Sequence, residues 1–246
     1  MPSRRQLLRR IGASAATPAV LTTAGCIGDG TVRTKLGGAS TDTIDFSSPD
    51  DDVFVPPNQV PAYLERIEAE YGEAAFPWTD ISALAGEFVG AYTQQMEIVP
   101  DDRFAVQDAA VLVHRLDSSR YRLRAWTGGR LLGRQYEVGF GGHIQRDPAI
   151  TWLDQALERK HDSELTTDYA LSTTGGRVAF ADGAVRIPEG SFDAEITESE
   201  RYQTRWEGFY TGIVPLIGVC DVSFPQTVAK QLTWELSNGV GIRTPI

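Results

Sequence analysis

Cysteine, lysine and histidine are scarce in this chain, and it contains no long apolar run. Its 246 residues include two cysteines, three histidines and only three lysines, Lys35, Lys160 and Lys230. Two cysteines are too few for a fold held together by disulfides. No stretch of about 18 consecutive apolar residues is present, so the sequence predicts no membrane-spanning helix.

The charge is acidic overall and unevenly distributed. Lysine and arginine total 23 against 33 aspartates and glutamates, a formal net charge of −10, which argues against a nucleic-acid-binding protein. Arg4, Arg5, Arg9 and Arg10 lie in the first ten residues, and the first 25 residues contain no acid. From residue 26 onward, 19 basic residues stand against 33 acidic ones, a net charge of −14. Because such a body repels itself, we expect its fold to be weaker at low ionic strength.

The basic leader contains two short motifs. Residues 3–9 (SRRQLLR) include the pair Arg4 and Arg5, a mildly apolar stretch follows at residues 11–21, and residues 23–26 (TAGC) end at Cys26. A basic start, a short apolar segment and small residues before the cleavage point are typical of an export signal. Together with the acidic, lysine-poor composition, these motifs resemble the twin-arginine signal and the lipobox of exported haloarchaeal lipoproteins.

That resemblance covers about thirty residues and the composition, and it does not extend to the folded domain. It implies export of the folded chain through the signal at Arg4 and Arg5, cleavage before Cys26, and a lipid on the Cys26 sulfur. The protein would then be anchored in membrane lipid at the extracellular face of the cell membrane, with a signal peptide at residues 1–25.

Composition also predicts the domain organisation. Residues 26–52 are rich in Gly, Ser, Thr and Asp and too poor in apolar residues to order themselves, so we expect a lipidated cysteine followed by a flexible linker. No linker-like stretch interrupts residues 53–246, which we therefore assign to a single globular domain.

Apolar periodicity predicts three helices. The first carries Val60, Tyr63, Leu64, Ile67 and Tyr71 at helical spacing. Asp80 is the predicted N-cap of a second helix, whose apolar residues are Ile81, Leu84, Ala85, Phe88, Tyr92 and Met96. Asp147 and Pro148 begin a short third helix with Ile150, Leu153 and Leu157.

Alternating patterns predict strands in the rest of the domain. A hairpin runs from residue 111 to residue 125 through the turn Asp117-Ser118-Ser119. Further turns are predicted at residues 127–130 and 174–177 (both TGGR), at Asp182-Gly183 and at Asn238-Gly239. The expected fold class is α+β, with two N-terminal helices followed by a mainly antiparallel β-sheet and one further short helix. The two TGGR stretches are 47 residues apart, which leaves open a duplicated hairpin or simple convergence of turn sequences.

No common catalytic signature is present, so no catalytic residue is assigned, and the sequence favours a protein without enzymatic activity. His114, His143 and His161 lack the short spacings of known zinc sites, and we expect no metal and no cofactor. Cys220 lies in an apolar run and is predicted to be a buried thiol.

Arginines concentrate between residues 115 and 134. In an extended strand Arg120, Arg122 and Arg124 share one face, where they form a candidate anion-binding row. The alternative is pairing with acids of neighbouring strands. Trp206, Gly208 and Tyr210 share a strand face that would stack on sugar rings if exposed, or join the sheet core if buried.

Three functions are compatible with these features. The first is a membrane-anchored, surface-exposed lipoprotein that acts as a non-catalytic module binding an anionic ligand, a glycan or a protein partner. The second is an anchored extracellular hydrolase or metalloenzyme, which would require His114, His143 and His161 to converge. The third is an accessory subunit of a membrane complex, which would expose a large apolar patch.

Overall fold

The structure, a computed structural model, describes residues 31–49, 52–78, 81, 84–98, 105–132, 148–160, 163–166, 172–174, 177–180, 183–197, 201–225 and 228–245. The signal residues Arg4 and Arg5, the lipidation candidate Cys26, and His143 and His161 lie outside these ranges. The elements are β1 (Thr31–Asp45), β2 (Phe54–Val55), α1 (Val60–Tyr71) with a 3-10 turn (Gly72–Ala74), β3 (Glu87–Ile98), β4 (Ala105–Arg115), β5 (Arg120–Leu131), β6 (Pro148–Arg159), β7 (Glu164–Thr166), β8 (Ser172–Thr174), β9 (Arg177–Phe180), β10 (Gly183–Arg186), β11 (Gly190–Thr197), β12 (Arg201–Tyr210), β13 (Val214–Ser223) and β14 (Gln231–Pro245).

Two antiparallel sheets face each other. The five-stranded sheet has the order β1-β14-β6-β12-β11, and the six-stranded sheet has the order β2-β3-β4-β5-β13-β7. Strands β10, β9 and β8 form a small third sheet. Since side chains of a strand alternate between its faces, each large sheet has one inner face toward its partner and one outer face.

The main core lies between the inner faces. Val111, Leu123 and Cys220 of the six-stranded sheet pack in one cluster with Leu157 and Trp234 of the five-stranded sheet, all of them buried. At one end of the interface a second cluster joins residues of β6, β12 and β13, namely Ile150, Leu153, Trp206, Val214 and Leu216. Alternation along each strand therefore produces a sandwich with an apolar interior.

Helix α1 lies on the outer face of the six-stranded sheet. Its buried residues Val60, Ile67 and Tyr71 belong to one cluster with Leu112 and Trp126 of the sheet. Pro61 is tolerated in the first turn because a backbone N–H at that position would have no acceptor within the helix, so proline loses no hydrogen bond there. The apolar stripe that predicts this helix from the sequence is the face that it buries. Among the described residues, no helix combines the length and the apolar character needed to cross a membrane.

The α+β expectation is wrong: the fold is mostly β, and α1 is the only α-helix among the described residues. Of the predicted second helix, Phe88, Tyr92 and Met96 lie in strand β3, and the apolar residues of the predicted third helix lie in strand β6. The predicted first residues of these helices, Asp80 and Asp147, lie outside the described residues. Tyr92 and Met96 are four residues apart, a spacing that fits one face of a strand as well as one face of a helix. In β6 a register shift separates Ile150 from Trp152, so Ile150 and Leu153 reach the same core at a three-residue spacing.

The folded part of the chain begins earlier than the composition predicts. Residues 31–45, which fall inside the predicted linker, form strand β1 at one edge of the five-stranded sheet. This strand pairs with β14 along its whole length, from Thr31 opposite Pro245 to Asp45 opposite Gln231. Backbone pairing with the last strand thus orders a segment with few apolar side chains.

Two predicted turns lie within strands, and there their glycines make room for aromatic rings. Residues 127–130 are inside β5, and Asn238-Gly239 is inside β14. A Cβ atom on Gly128 would lie 2.6 Å from Tyr71 Cε1, and one on Gly239 would lie 1.8 Å from Trp152 Cζ3. The TGGR stretch at residues 174–177 instead spans the end of β8 and the start of β9. The two copies therefore occupy different structural positions, which does not support a duplicated hairpin.

Candidate functional site

The outer face of the six-stranded sheet is closed by packing and polar contacts. The Tyr71 hydroxyl donates to Oδ2 of the buried Asp108 at 2.8 Å, and Gln95 donates to its Oδ1 at 2.9 Å. Burial, followed by the charge of Asp108, raises the pKa of Tyr71. Arg66 is 3.4 Å from the same carboxylate, and Trp126 donates to the Ala74 carbonyl at 3.0 Å. Helix α1 is thus held on the sheet by apolar burial and by a buried carboxylate.

The predicted anion-binding row lies on this outer face, where its members contact protein groups. Arg120 pairs with Asp117 at 2.5 Å, and Arg122 makes a bidentate contact with Asp221 of β13 at 2.8 and 3.0 Å. The buried Arg124 lies 5.7 Å from the Trp78 ring. These contacts match the cross-strand alternative for Arg122, and anion binding by the row stays a prediction.

The remaining residues singled out in the sequence do not form a site among the described residues. His114 is buried in β4 with its ring 5.2 Å from the Phe88 ring. Cys220 is a buried free thiol, as predicted, and burial raises its pKa. Trp206 is fully buried and donates to the Pro188 carbonyl at 3.3 Å, so it belongs to the core, whereas Tyr210 is 41% exposed. Within the described ranges, no group of three or more His, Cys, Asp or Glu side chains is placed to hold a metal ion.

The outer face of the five-stranded sheet, called here the open face, is different. In β12 the inward residues Tyr202, Thr204 and Trp206 are buried, while the outward residues between them are partly or fully exposed. The register aligns the outward residues in rows across the five strands. From β1 to β11, three rows are Gly37, Gly239, Trp152, Glu207 and Ser191; Ala39, Ser237, Asp154, Arg205 and Asp193; and Thr41, Glu235, Ala156, Gln203 and Glu195.

Polar contacts connect these rows. Arg201, in the next row, is 3.3 Å from Glu158 and 2.7 Å from Glu235. Arg205 pairs with Glu207. Across the four rows, two arginines accompany six outward carboxylates: Asp154, Glu158, Asp193, Glu195, Glu207 and Glu235.

Asp154 lies almost fully buried near the centre of the open face, 7% exposed, and accepts a hydrogen bond from Gln203. Its pKa is raised because burial outweighs this hydrogen bond and the nearby charges of Arg201 and Arg205. The carboxylate therefore contributes a recessed acceptor to an otherwise exposed surface.

Two open depressions lie on the open face. One, of about 520 Å³, lies between β11 and β12 and is lined by Ser191, Asp193, Glu195, Gln203, Arg205 and Glu207. The other, of about 190 Å³, lies toward β1 and is lined by Ala39, Ser40, Thr41, Asp154, Arg201, Glu235, Leu236 and Ser237. Their walls carry hydroxyl, amide, carboxylate and guanidinium groups, which can donate or accept hydrogen bonds.

Trp152 lies on the open face in the central strand β6. Of the five tryptophans, Trp78, Trp126, Trp206 and Trp234 are buried, and Trp152 alone is partly exposed. It is aligned with Gly239 on one side and with Glu207 on the other. The open face therefore combines one large aromatic side chain with rows of polar groups.

Sequence reasoning missed this face because it treated Trp152 as part of a helix and placed β1 in a linker. Gly37 and Gly239, far apart in sequence, are the signal that points to it. Glycine opposite glycine on paired strands leaves space that a neighbouring aromatic ring fills, but only the strand register reveals that they are paired.

Neither protein-family models nor curated protein sequences match this chain.

Proposed function

We propose that this chain is an exported lipoprotein, anchored through Cys26 at the extracellular face of the cell membrane, and that it acts as a non-catalytic binding module. Its binding surface would be the open face of the five-stranded sheet. The arginine pair at Arg4 and Arg5 and the small residues before Cys26 support export and anchoring.

The anchor and the domain are close in sequence. Strand β1 begins at Thr31, five residues after Cys26. A fully extended chain covers about 3.3–3.6 Å per residue, so Thr31 would lie within about 18 Å of the lipidated cysteine. The sandwich would then be held near the membrane surface, with the open face available to ligands in the adjacent envelope.

The observation that carries the binding role is the contrast between the two outer faces. On the six-stranded sheet, α1 and the residues after it cover the apolar centre of the outer face and leave Arg120 exposed. The five-stranded sheet has no such helix among the described residues and presents polar rows, two depressions and Trp152. Tryptophan and arginine are enriched at binding interfaces, whose rims are polar, so Trp152 among polar rows supports a binding role for the open face.

The two alternative functions have less support. A hydrolase or metalloenzyme based on the histidines would use His114, which is buried on the other sheet. An accessory subunit would present an extensive apolar surface. Among the described residues, the exposed large apolar side chains are Leu132 and Tyr210, which are 39% and 41% exposed.

Replacement of Cys26 by Ser tests the anchor. Without the thiol no lipid is attached, so we expect the protein to move from the membrane fraction to the medium, measured by immunoblotting of both fractions. Retention equal to that of the wild type would contradict anchoring through Cys26.

A matched pair of charge reversals tests the open face. In the full chain carrying Cys26→Ser, Asp193→Lys with Glu195→Lys reverses two exposed acids of β11, and Glu65→Lys with Glu68→Lys does the same on the exposed side of α1. Both pairs change the net charge equally. We expect the β11 pair to reduce co-sedimentation with isolated envelopes of the producing cells about tenfold, and the α1 pair to leave it unchanged.

Equal effects of the two pairs would contradict a binding role for the open face. The same holds if the wild-type chain does not co-sediment with envelopes. Thermal unfolding of each variant separates loss of binding from loss of folding.

A further inference from the structure

The indole ring of Trp152 lies down across two neighbouring strands. A Cβ atom on Gly239 of β14 would lie 1.8 Å from Trp152 Cζ3, and one on Gly37 of β1 would lie 2.6 Å from Cζ2. Gly37 and Gly239 are register partners, so the ring crosses β14 and reaches β1. The indole is thus packed over the backbone of two strands, and Trp152 stays partly exposed.

The backbone around Trp152 is irregular on both sides. The register shifts between Gly239 and Val240 along β14, and between Glu207 and Tyr210 along β12. Irregular pairing of this kind changes the direction of nearby side chains and is over-represented next to functional sites. The position and direction of Trp152 are thus set by two glycines and by bulged pairing.

Hydrogen-bonding groups surround the ring. Glu207 is aligned with Trp152 on β12, and Ser191 follows on β11. Asp154 and Arg205 lie in the adjacent row. Together they offer acceptors, a hydroxyl and a guanidinium beside a flat apolar surface.

We propose that the open face binds a neutral carbohydrate chain, with a sugar ring stacked on Trp152 and its hydroxyls bonded to the surrounding polar rows. This inference rests on the proposed function and names its ligand class. A pyranose ring has an apolar C–H face and a rim of hydroxyls, each both donor and acceptor. The apolar C–H face can stack on an indole, and the hydroxyls can form hydrogen bonds with alternating carboxylate, amide and guanidinium groups.

Charge on the open face selects among carbohydrates. Six outward carboxylates and two arginines give an acidic surface, which repels uronate, sulfate and phosphate groups. A basic peptide is less well matched, since Glu158, Glu207 and Glu235 are already within ion-pair distance of arginines and Asp154 accepts from Gln203. Uncharged hydroxyls bind such paired groups without breaking the ion pairs.

Intrinsic fluorescence provides the readout, because four of the five tryptophans are buried and Trp152 is partly exposed. The full chain with Cys26→Ser is titrated with soluble neutral glucan, mannan and galactan, and separately with hyaluronate and with polyarginine. We expect saturable binding of at least one neutral polysaccharide, with a change in tryptophan emission, and much weaker binding of the two charged polymers.

Three variants link this binding to the ring. Trp152→Ala removes the stacking surface, and Gly239→Ala keeps the indole but fills its seat. Each is expected to weaken binding about tenfold or more, and Trp152→Phe, which keeps a smaller ring, is expected to weaken it less. Leu132→Ala removes an exposed apolar side chain directly after β5 of the other sheet and is expected to bind as the wild type does.

Wild-type affinity in Trp152→Ala, preferential binding of hyaluronate or polyarginine, or no binding of any neutral polysaccharide would overturn the carbohydrate inference. In those cases the proposed function still stands if the β11 charge reversal alone reduces envelope binding. If neither charge-reversal pair changes envelope binding, the proposed function fails as well.

Discussion

The two outer faces of this sandwich follow the same strand alternation but have opposite surroundings. On the six-stranded sheet, Trp126 lies under α1, with its ring 5.1 Å from the Tyr71 ring and 4.9 Å from the Phe76 ring. On the five-stranded sheet, Trp152 lies over Gly37 and Gly239 at the surface. Both tryptophans lie in strands beside glycines that make room for a ring. The comparison shows that the role of a tryptophan in a strand depends on whether another element covers that face of its sheet.

The largest expected difference between the faces concerns these two tryptophans. Trp126→Ala should lower the free energy of unfolding by about 3–5 kcal/mol, because it leaves a cavity between helix and sheet. Trp152→Ala should lower it by about 1 kcal/mol, since less apolar surface returns to water. Chemical denaturation of both variants measures the difference, and similar losses would show that Trp152 is a core residue.

A smaller difference is expected for polar contacts. Tyr71→Phe removes a hydrogen bond to the buried Asp108 and should cost about 1.5–3 kcal/mol. Arg205→Ala removes an ion pair whose side chains are 47% and 52% exposed, and should change the unfolding free energy by less than about 0.5 kcal/mol. A large loss in Arg205→Ala would mean that the open face is itself a structural interface.

The smallest effect concerns pH. In the folded protein the pKa of Asp154 is raised above its ordinary value of 3.8. The protonated side chain therefore stabilises the fold at pH values below 3.8, and this stabilisation is lost as the pH rises through the raised pKa. Asp154→Asn removes this titration. The free energy of unfolding of the variant, relative to that of the wild type, should therefore increase from acidic to neutral pH. Chemical denaturation of both proteins at the two pH values measures this change. A constant difference across that range would contradict the raised pKa.

Part of this fold was predictable from local sequence. The apolar stripe from Val60 to Tyr71 predicts α1, and the alternation on either side of Asp117 predicts the hairpin of β4 and β5, both of which the structure confirms. In that turn, Asp117 accepts backbone hydrogen bonds from Ser119 at 2.8 Å and from Arg120 at 2.9 Å. These signals lie within one element or one turn.

The errors arise where distant partners decide the structure. Ile150, Leu153 and Leu157 follow helical spacing because an irregular register inserts a residue into a strand. The sequence predicts Gly128 and Gly239 to be turn residues, whereas in the structure each makes room for a ring from another strand or from α1. For the candidate site, Trp206 was considered for stacking and is buried, while Trp152 became visible only with the register of β1, β14 and β6.

The central claim is that the open face binds a ligand and the helix-covered face does not. Co-sedimentation of the Cys26→Ser chain with envelopes, compared between the Asp193→Lys and Glu195→Lys pair and the Glu65→Lys and Glu68→Lys pair, tests it most directly. We expect about a tenfold loss of binding for the first pair and none for the second. Equal binding by the two variants would contradict it.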